Sequence, residues 1–362
     1  MNDEQYMKLA LKLAQERVGQ TSPNPMVGAL VVDQNGEIAG RGAYEKRGAE
    51  HAEVIALREA GARARGATLY VTLEPCSHHG RTPPCVDAII AGGIARVVSA
   101  MEDPDARVRG AGFAKLRSHN VNVEVGLLGE QAARTNRMYV HHRTTGRPFV
   151  TLKMAQSLDG AIAARAGERR QLTGKPAARY TRMLRYEHDA VMVGVGTVLV
   201  DDPLLTVRPN KPRALPYRRI VVDARGRIPL KSKITKDQVR AGTIVATTEL
   251  MPATTREALV KRGVSVLECA RSADDRVDIH DMLAKLASND IISILCEGGP
   301  TLGTSLLSGG HVNEVNWLIA PMLLGGPEAV PVIGNMTREL LLRLQTVRRL
   351  GDDVLVAAEI VR

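Results

Sequence analysis

The sequence predicts an α/β protein with two domains, the first of which is a three-layer α/β sandwich over a mixed sheet. Three observations predict this fold class. The chain has 362 residues, of which 44% are hydrophobic, and this is enough for two cores. Strand-like apolar runs alternate with helical patterns along both halves. A polar segment with Gly and Pro at 141–148 predicts a linker, which divides the chain into domains at 1–146 and 147–362.

The elements of the first domain follow from periodicity and from turn residues. Residues 3–18 have apolar side chains at a helical spacing after an Asn2 or Asp3 cap. The turn Gln34-Asn35-Gly36-Glu37 joins two strand-like runs, at 28–33 and 38–43, and predicts a hairpin. Two prolines, Pro83 and Pro84, predict a helix start that puts Cys85 in the first turn. Further helices are expected at 52–62 and 110–118, and further strands at 67–73, 97–101 and 121–125.

One stretch of the first domain predicts a catalytic zinc site. His51 and Glu53 are followed by Cys76, directly after Pro75, and then by Cys85. One His and two Cys leave zinc a fourth position for water, and Glu53 is then the proton carrier rather than a ligand. Residues two apart diverge on a helix, so His51 and Glu53 converge only at its first turn, with the metal beyond the helix end. This order of residues is typical of zinc deaminases.

A structural zinc site is the main local alternative. In that site His78 or His79 would be the fourth ligand, which leaves no open position for water and no role for Glu53. Asn24, between two prolines, is either a turn residue or a ligand contact.

Basic residues near this stretch are candidates for holding a substrate phosphate. They are Arg81 and the pair Arg107 and Arg109, with a solvated surface as the alternative for each. The last two follow the acidic loop at 102–105, which comes directly after a predicted strand and is a candidate rim loop.

The second domain contains two glycine-rich turns, each after a short apolar strand. The strand at 190–193 leads into Gly194-Val195-Gly196-Thr197, and the strand at 291–296 leads into 297–301 and a helix that ends at Leu307. Such turns offer backbone N–H groups to phosphates, so two of them predict a dinucleotide site. Neither has the spacing of a Rossmann motif, and a Rossmann fold is not predicted. A strand at 149–154, a turn at 157–160 and a return strand at 161–164 precede them, with Lys153 on the same face as Thr151 and Ala155.

Composition favours a cytoplasmic enzyme that acts on an anionic small molecule. The net charge of +10 favours anionic partners, but only 3% of residues are aromatic, so stacking platforms for nucleic acid are scarce. Phosphorylated small molecules fit better. No apolar run approaches the roughly 18 residues that span a bilayer, the start is acidic rather than signal-like, and four Cys indicate a reducing compartment. A homo-oligomer is expected, without a pattern that indicates its size.

Long strings in the first domain carry a resemblance to a known family. They are Thr21-Ser22-Pro23-Asn24-Pro25-Met26-Val27-Gly28, His51-Ala52-Glu53, Thr72-Leu73-Glu74-Pro75-Cys76-Ser77-His78 and Thr82-Pro83-Pro84-Cys85. These strings resemble the bifunctional riboflavin-biosynthesis deaminase/reductases, and the similarity runs through the whole chain. The resemblance implies a cytidine-deaminase-like α/β/α sandwich that deaminates a diaminopyrimidinone ribosyl phosphate. It also implies zinc ligands at His51, Cys76 and Cys85, a proton donor at Glu53, and substrate contacts at Asn24 and Arg81.

The second half resembles the reductase domain of the same family, which is similar to dihydrofolate reductase and uses NADPH. The strings at 153–160, 197–203, 205–208 and 297–302 carry this likeness. The resemblance implies hydride transfer to the ribose C1, with Lys153 as a polarising group or, alternatively, a structural ion-pair partner. It implies coenzyme contacts at Ala155, Gln171, Thr197, Asp201, Gly299, Pro300, Thr301, Leu302, Gly303, Thr304 and Ser305. It implies substrate contacts at Arg169, Arg185, Leu205, Arg208 and Glu297.

Three places depart from the family pattern. Tyr44 stands where the family commonly has a His, and Asp105-Ala106 stands where the family has Asn-Pro. The loop at 167–173 lacks the Ser and Trp that are usual in the family. A carboxylate at 105 is unfavourable near a phosphate unless Arg107 or Arg109 offsets it. Two other functions stay open: a nucleic-acid deaminase, although the compact Pro-Cys-x-x-Cys spacing is absent, and a reductase with a merely structural zinc module.

Overall fold

The computed structural model describes residues 1–80, 82–168, 170–207, 213, 215–239, 241–336 and 339–361. The described residues divide into two compact units, residues 1–146 and, apart from the short 212–214 segment, residues 147–362. Among the helices of this described part, none is long and apolar enough to cross a membrane.

The first unit is built on a five-stranded mixed sheet. Its strands are β1 (Gly28–Val32), β2 (Ile38–Ala43), β3 (Thr68–Val71), β4 (Arg96–Ser99) and β5 (Asn122–Val125), in the spatial order β2-β1-β3-β4-β5. The β1–β2 and β1–β3 pairs are antiparallel, whereas β3–β4 and β4–β5 are parallel. The predicted hairpin and mixed sheet are therefore confirmed.

Helices cover both faces of this sheet. They are α1 (Asp3–Gln15), α2 (Ala52–Ala60), α3 (Cys85–Ala91), α4 (Ala111–Ser118), α5 (Gly129–Thr135) and α6 (Arg137–Thr145), with a 3₁₀ turn at Gly61–Ala64. Alternate strand residues face opposite ways: Leu30 packs with α1 and α5, and Val31 packs with α2, α3 and α4. The predicted three layers are thus confirmed. A capping box between Asn2 and Gln5 starts α1.

Close packing of α2 on β2 places the start of α2 at the end of the sheet. A Cβ atom added at Gly42 would overlap the carbonyl oxygen of Ala52, and one at Gly40 would overlap that of Ala56. Only glycine permits this approach of helix and strand backbones. His51, the residue before α2, is thereby fixed beside the loop that leads into β1 and the loop that leaves β3.

The second unit is built on a nine-stranded sheet. Its strands run in the spatial order β11-β10-β9-β8-β12-β6-β13-β16-β15 and are parallel except for the β13–β16 and β15–β16 pairs. The strands are β6 (Phe149–Ser157), β8 (Ala190–Gly194), β9 (Arg218–Val222), β10 (Gly242–Thr247), β11 (Ser265–Glu268), β12 (Ser293–Cys296), β13 (Glu314–Ala320), β15 (Leu342–Leu350) and β16 (Asp353–Ile360). A separate two-stranded sheet pairs β7 (Ala161–Ala163) with β14 (Val330–Pro331).

Among the described residues of this unit, six helices accompany the sheet: α7 (Lys175–Glu187), α8 (Val195–Asp201), α9 (Lys233–Lys236), α10 (Ala253–Val260), α11 (Ile279–Ala287) and α12 (Pro300–Ser308). Strand residues again alternate between two cores. On β6, Leu152 and Met154 pack with α11 and α12, which leaves Lys153 on the opposite face as predicted.

Two predictions about connections are wrong. The polar segment at 141–148 is not a linker for most of its length, because α6 continues to Thr145 and the division between the units falls after Gly146. The segment at 161–164 does not return along β6. It forms β7, which pairs with β14 from a distant part of the chain, and the Ser157 hydroxyl holds the intervening turn through Ala161.

Candidate active sites of the two units

The His51, Cys76 and Cys85 side chains converge at one point of the first unit. His51 is the cap residue of α2, Cys85 is the first residue of α3, and Cys76 lies in the loop after β3. His51 Nδ1 lies 3.1 Å from Cys85 Sγ and 3.5 Å from Cys76 Sγ. All three potential ligand atoms lie within 4.8 Å of one another. The sequence predicted this arrangement, with the metal beyond the ends of two helices.

The three side chains fit zinc. Tetrahedral coordination with ordinary zinc–sulfur and zinc–nitrogen bonds separates a ligand nitrogen from a ligand sulfur by about 3.6 Å. The two N···S distances in the cluster, 3.1 and 3.5 Å, are close to this value. His78 lines the adjoining cavity but does not belong to the cluster of described residues, and neither does His79. The described ligand set therefore has three members, as a catalytic site requires.

The charges of the cluster also suit a cation. A hydrogen bond from the Cys85 thiol, with a second from His51, lowers the pKa of Cys76 to about 4. The same hydrogen bond, together with burial, raises the pKa of Cys85, so Cys76 is the first thiol to ionise. Glu53 lies in the first turn of α2, is only 4% exposed, and has its pKa raised by burial. A raised pKa favours the protonated form of this carboxyl group, which suits a residue that carries a proton.

A cavity of about 570 Å³ adjoins the cluster and is lined by Glu53, Asn24 and Tyr44. The Tyr44 hydroxyl oxygen accepts hydrogen bonds from Asn24 Nδ2 at 2.7 Å and from the Gly48 N–H at 3.3 Å. Its ring meets the His51 ring edge-on, with 5.4 Å between centroids. Tyr44 thus links the loop of Asn24 to the loop that ends at His51. The cis Ser22–Pro23 peptide lies in the loop of Asn24.

The rim of this cavity contains charged residues that the sequence indicated only in part. Asp105 and Arg107 both line the cavity, whereas the Arg109 guanidinium turns to the carbonyl oxygen of Pro104. Tyr139 and Arg143, from α6, also line it and were not predicted. Their spacing of four residues on a helix was the available signal, but the segment was interpreted as a linker from residue 141 onward. Arg81 lies outside the described residues.

The second unit contains a cleft of about 1240 Å³ along the carboxyl ends of its parallel strands. Most of the predicted coenzyme residues line it, namely Ala155, Gln171, Thr197, Asp201, Gly299, Pro300, Thr301, Leu302 and Ser305. Both glycine-rich turns lie in the lining, one at the start of α8 and one at the start of α12. A cleft at this edge of a parallel sheet is the usual place for a ligand.

Two predicted coenzyme residues do not line the cleft. Gly303 packs against Leu152 and Met154 in the core, and the Thr304 hydroxyl oxygen accepts a hydrogen bond from the Gly334 N–H at 2.8 Å.

The predicted substrate residues of the second unit centre on one ion pair. Arg185 Nε lies 2.5 Å from Glu297 Oε1, and Nη2 lies 2.9 Å from Oε2. Burial opposes ionisation of Glu297, but the Arg185 guanidinium outweighs it, and the pKa of Glu297 lies below its ordinary value. Lys153 lines the cleft near both charges, and burial lowers its pKa. Leu205 is buried in the core beside β8, while Arg169 and Arg208 lie outside the described residues.

Comparisons with known proteins agree with both sites. Residues 1–101 match the cytidine and deoxycytidylate deaminase zinc-binding region, and residues 148–356 match the RibD C-terminal domain. The riboflavin biosynthesis protein RibD of Aquifex aeolicus is 42% identical over 98% of this chain and 97% of its own length. That of Escherichia coli is 39% identical over 98% of both chains. The chain belongs to the RibD family.

Solved RibD structures have the same fold throughout. Acinetobacter baumannii RibD superposes with a TM-score of 0.90 at 35% identity and 99% coverage of both chains. The Thermotoga maritima protein, described as a diaminohydroxyphosphoribosylaminopyrimidine deaminase/5-amino-6-(5-phosphoribosylamino)uracil reductase, superposes with a TM-score of 0.85 at 32% identity over 99% of this chain and 98% of its own. As a RibD family member, the chain is a bifunctional enzyme of riboflavin biosynthesis. It combines a zinc-binding deaminase domain of the cytidine-deaminase type with an NADPH-dependent RibD reductase domain.

Proposed function

We propose that the first domain, residues 1–146, hydrolytically deaminates 2,5-diamino-6-(5-phosphoribosylamino)pyrimidin-4(3H)-one. The second, residues 147–362, then reduces the ribosyl side chain with NADPH to give 5-amino-6-(5-phosphoribitylamino)uracil. The observation that carries the proposal is the convergence of His51, Cys76 and Cys85 beside buried Glu53 in one cavity. The Thermotoga maritima relative, whose printed description contains both activities, supports the choice of substrates.

The deaminase residues have separate roles in metal binding, proton transfer and substrate binding. His51, Cys76 and Cys85 would hold the zinc, which when bound lowers the pKa of a water to about 7. Glu53 takes a proton from the attacking water and passes it to the leaving amine, and its raised pKa favours holding that proton. Asn24, fixed by Tyr44, has its Oδ1 atom left to accept a hydrogen bond from the pyrimidine. The buried position of Glu53 beside the three ligands supports this role over the structural-zinc alternative, in which Glu53 has no function.

The reductase residues position rather than transform the substrate. NADPH, when bound, would supply a hydride to the ribose C1, and the cleft residues named above would hold the coenzyme. Arg185 and Glu297 form one buried ion pair. From the family resemblance alone, we propose that Arg208 and Leu205 also contact the phosphorylated substrate. The Lys153 side chain has no hydrogen bond or ion pair among the described residues. It lines the cleft beside the Arg185–Glu297 pair, so it is the group available to polarise the reacting oxygen.

The substitution Glu53→Gln tests the deaminase assignment. We expect ammonia release to fall about 10²–10⁴-fold, the usual contribution of a general acid–base group, while zinc content is retained. The reductase step, assayed on the deaminated intermediate with NADPH, should be unaffected. Glu59→Gln is the matched control, because Glu59 lies on the same helix but is exposed. Unchanged ammonia release in the Glu53 variant would exclude its assigned role.

We further propose that the enzyme is cytoplasmic, acts on phosphorylated small molecules rather than nucleic acid, and forms a homo-oligomer. All four cysteines lie in the described part of the chain and none forms a disulfide bond, which suits a reducing compartment. Strand β15, at the edge of the large sheet, exposes Leu342, Leu344 and Val347, which are apolar side chains suited to an interface. Light scattering at micromolar concentration tests the oligomer, and a monomer mass would refute it.

A further inference from the structure

We infer that Asp105 positions Arg107 and Arg143 as a subsite for the phosphate group of the deaminase substrate. The inference rests on the proposed function, because it assumes that a phosphorylated ligand occupies the first-unit cavity. All three residues line that cavity together with His51 and Cys76 of the metal-ligand cluster and with Glu53. The volume of about 570 Å³ is adequate for a small phosphorylated nucleoside-like ligand.

The loop that carries Asp105 is held firmly in place. The Glu74 carboxylate, only 4% exposed, accepts hydrogen bonds from the backbone N–H groups of Asp103, Gly110 and Gly112 at 3.2, 2.9 and 2.9 Å. Glu74 lies two residues before Cys76, so the rim loop and the metal-ligand loop are fixed to each other. Within the loop, the Asp105 N–H donates to Asp103 Oδ1 at 2.9 Å. The Asp105 side chain therefore has a defined position relative to the cluster.

Asp105 in turn fixes two guanidinium groups. Arg107 binds it in the bidentate manner, with Nε 2.9 Å from Oδ1 and Nη2 2.6 Å from Oδ2. Arg143 Nη1 lies 3.7 Å from the same Oδ2 atom, so both cations share one carboxylate. The sum of these three charges is +1, which is favourable for a phosphate that carries about −1.5 to −2 at pH 7. Arg107 lowers the pKa of Asp105 to about 2, which keeps the carboxylate charged throughout the working range.

Arg143 is placed as a binding group rather than as a surface charge. Its guanidinium carbon lies 5.2 Å from the centroid of the Tyr139 ring, within the range of a cation–π contact. Its Nε atom is buried and has no hydrogen-bond partner among the described residues. The Tyr139 hydroxyl donates to Asp103 Oδ1 at 3.1 Å, and burial raises the pKa of Asp103. The Asp103 carboxyl group is thus engaged by the Tyr139 hydroxyl and by the Asp105 N–H.

The same contacts also permit the opposite account, in which Asp105 competes with the phosphate for the two arginines. If Asp105 merely occupied the two arginines, the carboxylate would repel the phosphate and its removal would tighten binding. If Asp105 positions them, an amide at 105 no longer attracts Arg143 and Arg107 Nη2, and binding weakens. The substitution Asp105→Asn therefore separates the two accounts by the sign of its effect.

Inhibition of ammonia release by ribose 5-phosphate, compared with ribose, is the test. We expect Arg143→Gln to raise the inhibition constant of ribose 5-phosphate at least tenfold and to leave that of ribose unchanged. Asp105→Asn should raise the inhibition constant of ribose 5-phosphate about fivefold. Arg143→Lys should raise this constant less than Arg143→Gln does. Arg109→Gln, on the same loop but outside the cavity lining, should behave as wild type.

Each outcome of this inhibition assay either supports or overturns the proposed phosphate subsite. An inhibition constant does not depend on the fraction of folded enzyme, so partial misfolding of a variant leaves the comparison valid. An unchanged constant in Arg143→Gln, or a lowered one in Asp105→Asn, overturns the inference while the proposed function stands. If the wild-type enzyme releases no ammonia from the proposed substrate, the proposed function fails and the inference fails with it.

Discussion

Removal of Arg185 provides a quantitative prediction for the reductase cleft. The Arg185 and Glu297 side chains are only 17% and 10% exposed, and two N–H···O contacts of 2.5 and 2.9 Å join them. At such distances the attraction is about 6 kcal/mol for an effective dielectric constant of about 20. Desolvation offsets much of this, so the pair itself contributes little, but a lone buried partner costs about 3–5 kcal/mol.

We therefore expect Arg185→Met to lower the free energy of unfolding of the reductase domain by about 3 kcal/mol at neutral pH. The double variant Arg185→Met/Glu297→Gln should lie within about 1.5 kcal/mol of wild type, because no uncompensated carboxylate remains. The assay is urea unfolding, followed in the transition that NADPH shifts to higher denaturant concentration. A double variant no more stable than the single one would refute the reasoning.

The same pair predicts a pH dependence. The pKa of Glu297 in the folded protein lies below its ordinary value, so its stabilising contribution is present above the unfolded-state value of about 4.3 and is lost as the pH falls. In the Arg185→Met variant we expect burial to raise the pKa of Glu297 instead. Protonation of Glu297 then removes the cost of a lone buried carboxylate as the pH falls. The difference in stability between wild type and variant should thus be largest near pH 7 and shrink towards pH 4.

Three further predictions concern the deaminase domain. Tyr44→Phe removes the acceptor for Asn24 Nδ2 and should raise the deaminase KM about tenfold at nearly constant kcat. The control Tyr6→Phe, far from the cavity, should leave KM unchanged. Equal KM values for the two variants would contradict this prediction. Gly112→Ala places a methyl group on the Pro75 carbonyl oxygen and should reduce zinc content after dialysis, with full retention as the contrary result. After chelation, Cys76 should react with iodoacetamide even at pH 6, because its pKa is lowered to about 4, and added zinc should block this reaction.

The metal-ligand cluster could be predicted from sequence because its constraints are local. Residues two apart converge only at a helix end, and two successive prolines favour a helix start, so His51 and Cys85 were placed correctly at the beginnings of α2 and α3. The alternating elements of the first domain follow from periodicities of two and 3.6 residues, which are also local properties.

Features that depend on distant parts of the chain were not predictable in this way. Strand β7 pairs with Val330–Pro331, a partner that no pattern near residue 161 indicates. Arg219 is fully buried because its guanidinium donates to the carbonyl oxygens of Leu204, Ile234, Asp237 and Ala241, which come together only in the folded chain. Helix α6 has few apolar side chains, so its polar sequence was interpreted as a linker and its cavity residue Arg143 was missed.

The stoichiometry of ammonia release and NADPH oxidation tests bifunctionality most directly. Purified zinc-loaded enzyme would be given the diaminopyrimidinone ribosyl phosphate, first without and then with NADPH. We expect ammonia to be released without NADPH, and one NADPH to be oxidised for each ammonia once the coenzyme is present. NADPH oxidation in the absence of ammonia release, or no ammonia release at all, would contradict a deaminase and a reductase acting in this order in one chain.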